Sequence, residues 1–313
     1  MIYFSAKIRN TDKTNDNSRN FIYICEYLFF MILIADSGST KCSWAECSIN
    51  SDITNIHNTV GLNPKYTTTE NLLSELKNSS LFSIKKEVTE IYFYGAGCSS
   101  EDNNKKISVP LSQFFANAKI VVKHDMEAAV KATFKGAPII SCILGTGSNS
   151  CFYDGNKIYE NAPSLGYILG DEGSGNYFGK KFINLYINNV LPKNLAEKFE
   201  NWTTEREEDI IINIYSLQRP NLYLATFFRF MVENKNEEIF DTILRNGIQH
   251  FFDLHIKCFN NYKNYPLTFV GSVAFYLSDY INEIAKKEDL QIQEIIQSPI
   301  DNLVKEHFSF GSI

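Results

Sequence analysis

The sequence predicts an α/β fold built twice: two units, each a mixed sheet with helices on its faces, opposed across a cleft. The first observation is an internal match. Ile34-Ala35-Asp36-Ser37-Gly38-Ser39-Thr40-Lys41-Cys42-Ser43-Trp44 lies without a gap over Ile143-Leu144-Gly145-Thr146-Gly147-Ser148-Asn149-Ser150-Cys151-Phe152-Tyr153. Gly38/Gly147, Ser39/Ser148 and Cys42/Cys151 coincide, and an aromatic closes both copies. A repeated strand–turn–strand is the mark of a duplicated unit. The second observation is that strands alternate with amphipathic helices after each hairpin, the pattern of a layered α/β fold. The third is size: 313 residues, 44% hydrophobic and 21% charged, suffice for two cored domains.

The formal net charge of −6, with no Lys/Arg cluster, makes nucleic acid and anionic membrane poor partners. Seven cysteines, an odd number without a C-x-x-C pair, read as reduced thiols of a cytoplasmic protein. Cys42, Cys142 and Cys151 sit in apolar strand contexts as small core residues. Residues 5–20 are polar, and Phe21–Ala35 is mostly apolar but interrupted by Glu26. That run is too short to span a bilayer, and its far end is the strand carrying Asp36. The reading adopted takes Met31 as the natural start, with residues 1–30 a disordered or non-native extension of no functional role.

Ile32–Asp36, Lys41–Cys47 and Ile53–Thr59 are expected to pair as an antiparallel meander, with Ser48–Asp52 as a turn. The bend at Ser37–Thr40 exposes bare N–H groups beside the Asp36 carboxylate, which suits phosphate and Mg²⁺. Asn63, in Gly61-Leu62-Asn63-Pro64, reads either as a turn residue or as an amide at a cleft mouth. Thr68–Lys77 is an amphipathic helix capped by Thr68 or Thr69, with Leu72, Leu73 and Leu76 on one face. Glu90–Tyr94 is a strand; the Gly95-Ala96-Gly97 after it lacks the third glycine of a dinucleotide site. A helix over Asp102–Asn117 and a strand over Lys119–Lys123 complete the order βββαβαβ, that of a ribonuclease-H-like unit. Asp125 then stands at a strand end, where open α/β sheets bind ligands. Helix cap and cleft-facing base are compatible roles for it. Helix Met126–Thr133 is the hinge.

The second unit opens with Ala137–Leu144, the Gly145–Ser148 turn, a strand to Tyr153 and a tight hairpin at Asp154-Gly155 into Lys157–Glu160. Gly170-Asp171-Glu172-Gly173-Ser174-Gly175, three glycines flanking two acids before a helix over Tyr177–Leu191, is costly in backbone entropy and reads as a ligand loop. Leu195–Tyr262 is helical, broken at Pro220, with no chemistry visible. Leu267–Val270 is a buried strand, and Gly271-Ser272 opens a helix over Val273–Ala285, either a tight turn or a seat for a flat ring above phosphate. Gln291–Ile296 and Pro299–His307 are the last strand and helix, with His307 an exposed partner of the helix dipole.

Two phosphate-type hairpins, a strand-end Asp125 between them and the late strand–Gly271–Ser272 step resemble the actin-like ATPase (ASKHA) superfamily of sugar kinases. More narrowly, Gly145-Thr146-Gly147-Ser148-Asn149 followed by Gly170-Asp171-Glu172-Gly173-Ser174 is similar to the N-acetylglucosamine kinase branch, grouped with the BadF/BadG-type ATPases. The resemblance runs from Ile32 to His307. It implies two ribonuclease-H-like domains around a cleft, residues 31–134 with 290–313 and residues 135–289 with a helical insertion. It implies ATP and Mg²⁺ as cofactors and a small-molecule sugar as partner, phosphorylated at its C6 hydroxyl, and leaves a homodimer open. Asp36, Gly38, Ser39, Thr40 and Lys41 match the first phosphate motif, with Thr40 on the nucleotide and Asp36 holding Mg²⁺ through water. Thr146 and Gly147 match the second phosphate motif, and Gly271 and Ser272 the adenosine motif. Asp125 matches the catalytic acid–base group that orients and deprotonates the sugar hydroxyl. Ser148, Asn149 and Asp171 match sugar contacts, as does Asn63 by a looser alignment. The branch's Gly-Trp-Gly is here Ser164-Leu165-Gly166, which leaves the acceptor sugar open. Two rivals are an activator-type ATPase of the 2-hydroxyacyl-CoA dehydratase/benzoyl-CoA reductase group and a sugar-sensing protein with a decayed site. The first holds an iron–sulfur cluster through cysteines that have no match here. The second is opposed by the intact acids and turns. A repressor-linked sugar kinase with structural zinc is disfavoured for want of a cysteine cluster.

Overall fold

The structure is a computed structural model that describes residues 31–48 and 53–309. The expected extension over 1–30, most of the turn at 48–52 and the last four residues lie outside the described residues. The first unit runs β1 (Met31–Ser37), β2 (Lys41–Cys47), β3 (Ile53–Val60), α1 (Thr69–Asn78), α2 (Leu81–Ile84), β4 (Val88–Gly95), α3 (Glu101–Phe114), β5 (Lys119–His124) and α4 (Asp125–Thr133). Its sheet has the order β3-β2-β1-β4-β5; β1–β3 are antiparallel, while β4 and β5 run parallel to β1. Leu33, Ile34 and Ala35 are buried at the middle of this sheet, as the unbroken apolar run of β1 requires. Thr68 caps α1 by accepting from Asn71 N, and Leu72 and Leu76 are buried while Leu73 packs at the core's edge.

The second unit begins with β6 (Ile139–Leu144), β7 (Ser148–Tyr153) and β8 (Ile158–Tyr159). The short α5 (Gly166–Leu169) and α6 (Gly175–Ile187) follow, then α7 (Lys193–Trp202), α8 (Glu207–Ser216), α9 (Pro220–Thr226), α10 (Phe228–Glu233) and α11 (Glu238–Phe251). A π-helical turn over Phe252–Ile256 leads to β9 (Leu267–Val270), α12 (Ser272–Tyr276), α13 (Ser278–Lys287), β10 (Ile292–Ile296) and α14 (Ile300–Ser309). Its sheet is ordered β10-β9-β6-β7-β8, and β9 is parallel to β6 as β4 is to β1. Counted from each third strand, the two sheets have one topology. The repeat legible in two turns therefore extends to whole sheets.

The helices after the two fifth strands join the units. On α4, Ala128 and Ala132 pack with Ile300, Leu303 and Val304 of α14 against Ile34 and Ala45 of the first sheet. From its other face, Met126 and Val130 reach Cys151 of the second. Of residues 290–313, assigned above to the first unit, β10 pairs in the second sheet beside β9 and only α14 lies on the first. Three helices end or break earlier than their apolar patterns imply. The helix expected to run to Asn117 ends at Phe114, α6 stops at Ile187, and the segment expected as one helix to Ala285 is divided at Leu277 into α12 and α13. His307 is not an exposed dipole partner: its ring lies against Tyr92 at 4.2 Å, and burial, then Lys131, lowers its pKa.

Candidate active site

Ser37, Gly95 and His124 stand in register at the carboxyl edge of β1, β4 and β5. The first turn is held from below, since Ser37 Oγ accepts from Leu62 N at 2.9 Å and Ser37 O from Ala96 N at 2.9 Å. Asn63 is buried, with its Oδ1 accepting from Lys65 N at 2.9 Å. Gly97 has φ +82, and a Cβ there would come within 2.8 Å of Asn63 Oδ1, so the Gly-x-Gly after β4 makes room for that amide.

Asp125 is the first residue of α4, and His124, not Asp125, occupies the cap position. The carboxylate is thus not consumed as a helix cap. His124 Nε2 lies 3.1 Å from Asp125 Oδ1, and its Nδ1 lies 3.6 Å from Glu160, which follows β8 of the other unit. Burial, then the negative charge of Asp125, pushes the Asp36 carboxyl up to about 7, against a smaller opposing effect of Lys41. Asp36 and Asp125 are therefore close enough for their charges to interact.

The second turn meets the first directly, Thr40 Oγ1 and Thr146 Oγ1 being 3.0 Å apart. Asp171, in the left-handed conformation at φ 59, lies against Gly147: a Cβ on that glycine would be 3.1 Å from Asp171 Oδ2. Burial raises the Asp171 pKa, although the Asn176 amide and the Ser148 N–H both donate to its carboxylate. Beside it, Glu172 Oε2 is 3.1 Å from Nε2 of buried His255, in the π-helical turn. Thr146, Gly147, Ser148 and Asp171 therefore form one cluster. Asn149 bends onto its own chain, its Oδ1 accepting from Ser150 N at 2.9 Å. Leu165 and Gly166 lie at the start of α5 against Gly170, whose N–H donates to Gly166 O at 2.8 Å, and Leu165, Ile168 and Leu169 are 53%, 69% and 73% exposed.

Behind the turns a cleft of about 180 Å³ is lined by Thr40, Gly145, Thr146, Gly175, Ser272 and Val273 together with Leu222, Ala225 and Thr226 of α9. Sequence reasoning saw no chemistry between Leu195 and Tyr262; that helical segment supplies one wall of the cleft. The expected break at Pro220 is present: α8 ends at Ser216, Pro220 is the first residue of α9, and Arg219 before it reaches the first unit. Its guanidinium donates to Gly61 O at 3.3 Å and to Thr67 Oγ1 at 2.9 Å. Gly271 has φ +124, and a Cβ there would be 2.3 Å from Leu144 O, so backbone crossing backbone requires this glycine.

The residues fit a nucleotide phosphate with a divalent cation. A Cβ at Gly145 would meet nothing within 4 Å and one at Gly38 only Lys41 O at 3.7 Å, so both turns present bare main chain to the cleft. Among the described residues no cluster of three or more metal-ligating side chains exists. A cation beside Asp36 and Asp125 would take most of its oxygens from phosphate and water, as Mg²⁺ does.

No protein-family model and no curated protein matches the sequence. Solved structures do. A candidate N-acetylglucosamine kinase of Porphyromonas gingivalis is similar at 32% identity and TM-score 0.83, over 89% of this chain and 99% of that one. Another from Chromobacterium violaceum shares the fold at 15% identity and TM-score 0.68, over 89% of this chain and 99% of that one. A ROK-family glucokinase of Streptomyces griseus, solved with glucose and AMPPNP, does so at 12% identity and TM-score 0.56, over 88% of this chain and 97% of that one. Among the described residues no helix is long and apolar enough to cross a membrane.

Proposed function

Because the chain belongs to the sugar-kinase family of the actin-like ATPase fold, we propose that it phosphorylates the C6 hydroxyl of an amino sugar from ATP in the cytoplasm, with N-acetylglucosamine the first candidate. The finer placement is the N-acetylglucosamine kinase branch, which the similarity to the Porphyromonas gingivalis protein supports; its grouping with the BadF/BadG ATPases rests on the motif resemblance alone. The observation that supports this reading is the meeting of the two turns at Thr40 and Thr146, with Asp36 close enough to feel the charge of Asp125 and Asp171 against Gly147 of the second turn.

Phosphoryl transfer needs positioning and charge neutralisation above all. Main-chain N–H groups at Gly38–Lys41 and Thr146–Gly147 hold the phosphates, and Ser272 with the α9 wall encloses the nucleoside. Asp36 would hold Mg²⁺ through water, and the bound ion would supply positive charge against the phosphates. Ser148, Asp171 and Asn63 orient the sugar. Asp125 takes the hydroxyl proton as the oxygen bonds to the γ-phosphorus and ADP leaves; His124 keeps that carboxylate turned in its seat. Closure of the units keeps out water, which would otherwise accept the phosphoryl group.

An ADP-release assay over N-acetylglucosamine, glucosamine, N-acetylmannosamine, glucose and a water-only control tests this. Release that depends on an amino sugar is expected. Equal release in water alone, or none with any sugar, overturns it.

A further inference from the structure

One buried amide ties the sugar acid to the phosphate turn. Asn176, the second residue of α6, is wholly inaccessible. Its Nδ2 donates to Thr146 O at 2.6 Å and to Asp171 Oδ2 at 2.7 Å, using both amide hydrogens. The orientation follows from chemistry, since a carbonyl oxygen accepts and never donates, so Nδ2 rather than Oδ1 must face Thr146. The main chain doubles the link: Asn176 N donates to Thr146 O at 3.1 Å, and Gly175 N to Gly145 O at 2.8 Å. In a trans peptide the C=O and N–H point in opposite directions. Anchoring Thr146 O on α6 therefore turns the Gly147 N–H away from α6. Asn176 Oδ1 is buried without a hydrogen-bond partner, a cost of about 1–3 kcal/mol that a helix-capping role alone does not explain. Ser174 already caps α6, its side chain accepting from Tyr177 N.

We infer that Asn176 is a positioning residue that couples the two substrates, so that a sugar held by Asp171 and a phosphoryl group held by the Thr146–Gly147 turn strengthen each other's binding. The inference rests on the kinase reading above. A sugar that draws Asp171 toward it shifts the shared Nδ2 and with it the Thr146–Gly147 peptide plane; a phosphate that fixes the peptide fixes Asp171 in return. Such coupling is reciprocal by necessity.

The test is calorimetry of N-acetylglucosamine binding with and without saturating Mg²⁺·AMPPNP, on the wild type, Asn176→Ala and Asn176→Asp. Ala removes both donor bonds, while Asp keeps the shape and replaces the donor by an acceptor. In the wild type, nucleotide is expected to tighten sugar binding by about 5- to 150-fold, the usual range of such linkage. In both variants that factor falls to near one, while each binds nucleotide alone within about threefold of wild type. Thermal melts identify which variants are folded, and either one suffices. A wild-type factor of one, or an unchanged factor in a folded variant, overturns the inference. Failure of the kinase reading shows separately, as wild-type protein that releases no ADP with any sugar, and the inference then falls with it.

Discussion

Replacing Asp125 with Asn keeps its shape and its contact with His124 but removes its capacity to take a proton. General-base assistance is worth roughly 10²–10⁴ in rate, so kcat should fall by that order while the calorimetric affinity for Mg²⁺·AMPPNP stays near wild type. A near-normal kcat would remove Asp125 from the mechanism. Asp36 carries the opposite balance of activity against stability. Its carboxyl sits near 7 in the folded protein and near 4 in the unfolded chain. Between those values the folded state holds a proton that the unfolded state has released. Its contribution to stability is therefore complete below about pH 4 and is lost as pH rises through about 7. Asp36→Asn removes that loss, and the ligand-free protein should gain up to about 4 kcal/mol at pH 8 while losing Mg²⁺-dependent turnover. Equal melting temperatures of the two proteins at pH 8 would show that the folded protein does not strain this carboxylate.

At the scale of elements, what was legible in the sequence was local. The hairpin turns, the strand-end position of Asp125 and the glycine-flanked acids of the α6 entry are each written in a few adjacent residues. Partners joined only by the fold were not legible. Nothing near Asn176 announces Thr146, thirty residues away, or Asp171 across a turn. Glu160 reaches His124 only because β8 ends beside the other sheet. His124 itself could have been found, since it directly precedes Asp125 and carries the only ring in that turn. The α9 wall was hidden because an apolar helix face reads as core whether it covers another helix or a ligand. The position of α6 depends on such packing: Phe182 meets Phe199 at 4.7 Å, Phe230 at 5.3 Å and Phe240 at 5.4 Å between ring centres. Phe182→Ala should cost about 3–5 kcal/mol in urea unfolding. Since the first turn of α6 holds the Gly145–Thr146 backbone, kcat should fall as well in the protein that remains folded. A loss under 1 kcal/mol would show that the surrounding rings refill the space.

Across the whole molecule, the two units touch at the cleft through few polar contacts, and these decide how readily it opens. Thr40 meets Thr146 where the phosphates are proposed to lie, so nucleotide entry requires the units to part. Besides the approach of His124 to Glu160, one bridge that resists parting is Arg219, half-buried, with its guanidinium on Gly61 O and Thr67 Oγ1 and its Cζ 5.6 Å from the centre of the Tyr66 ring. Hydrogen bonds from a charged donor are worth about 1.5–3 kcal/mol, enough to shift an open–closed equilibrium tenfold or more. The bridge lands on the Gly61–Thr67 loop that also carries Asn63, the proposed sugar contact, and away from Asp36 and Asp125. Arg219→Ala should enlarge the radius of gyration of the ligand-free protein in solution scattering and raise the sugar KM about tenfold. It should also raise ADP release to water, because a cleft that closes less often excludes solvent less well. Saturation with N-acetylglucosamine and Mg²⁺·AMPPNP should return the scattering to the wild-type curve, since both ligands are proposed to bind across the two walls. Identical scattering and KM for the variant and the wild type would mean that α4 and α14, packed between the sheets, govern closure without help from this arginine.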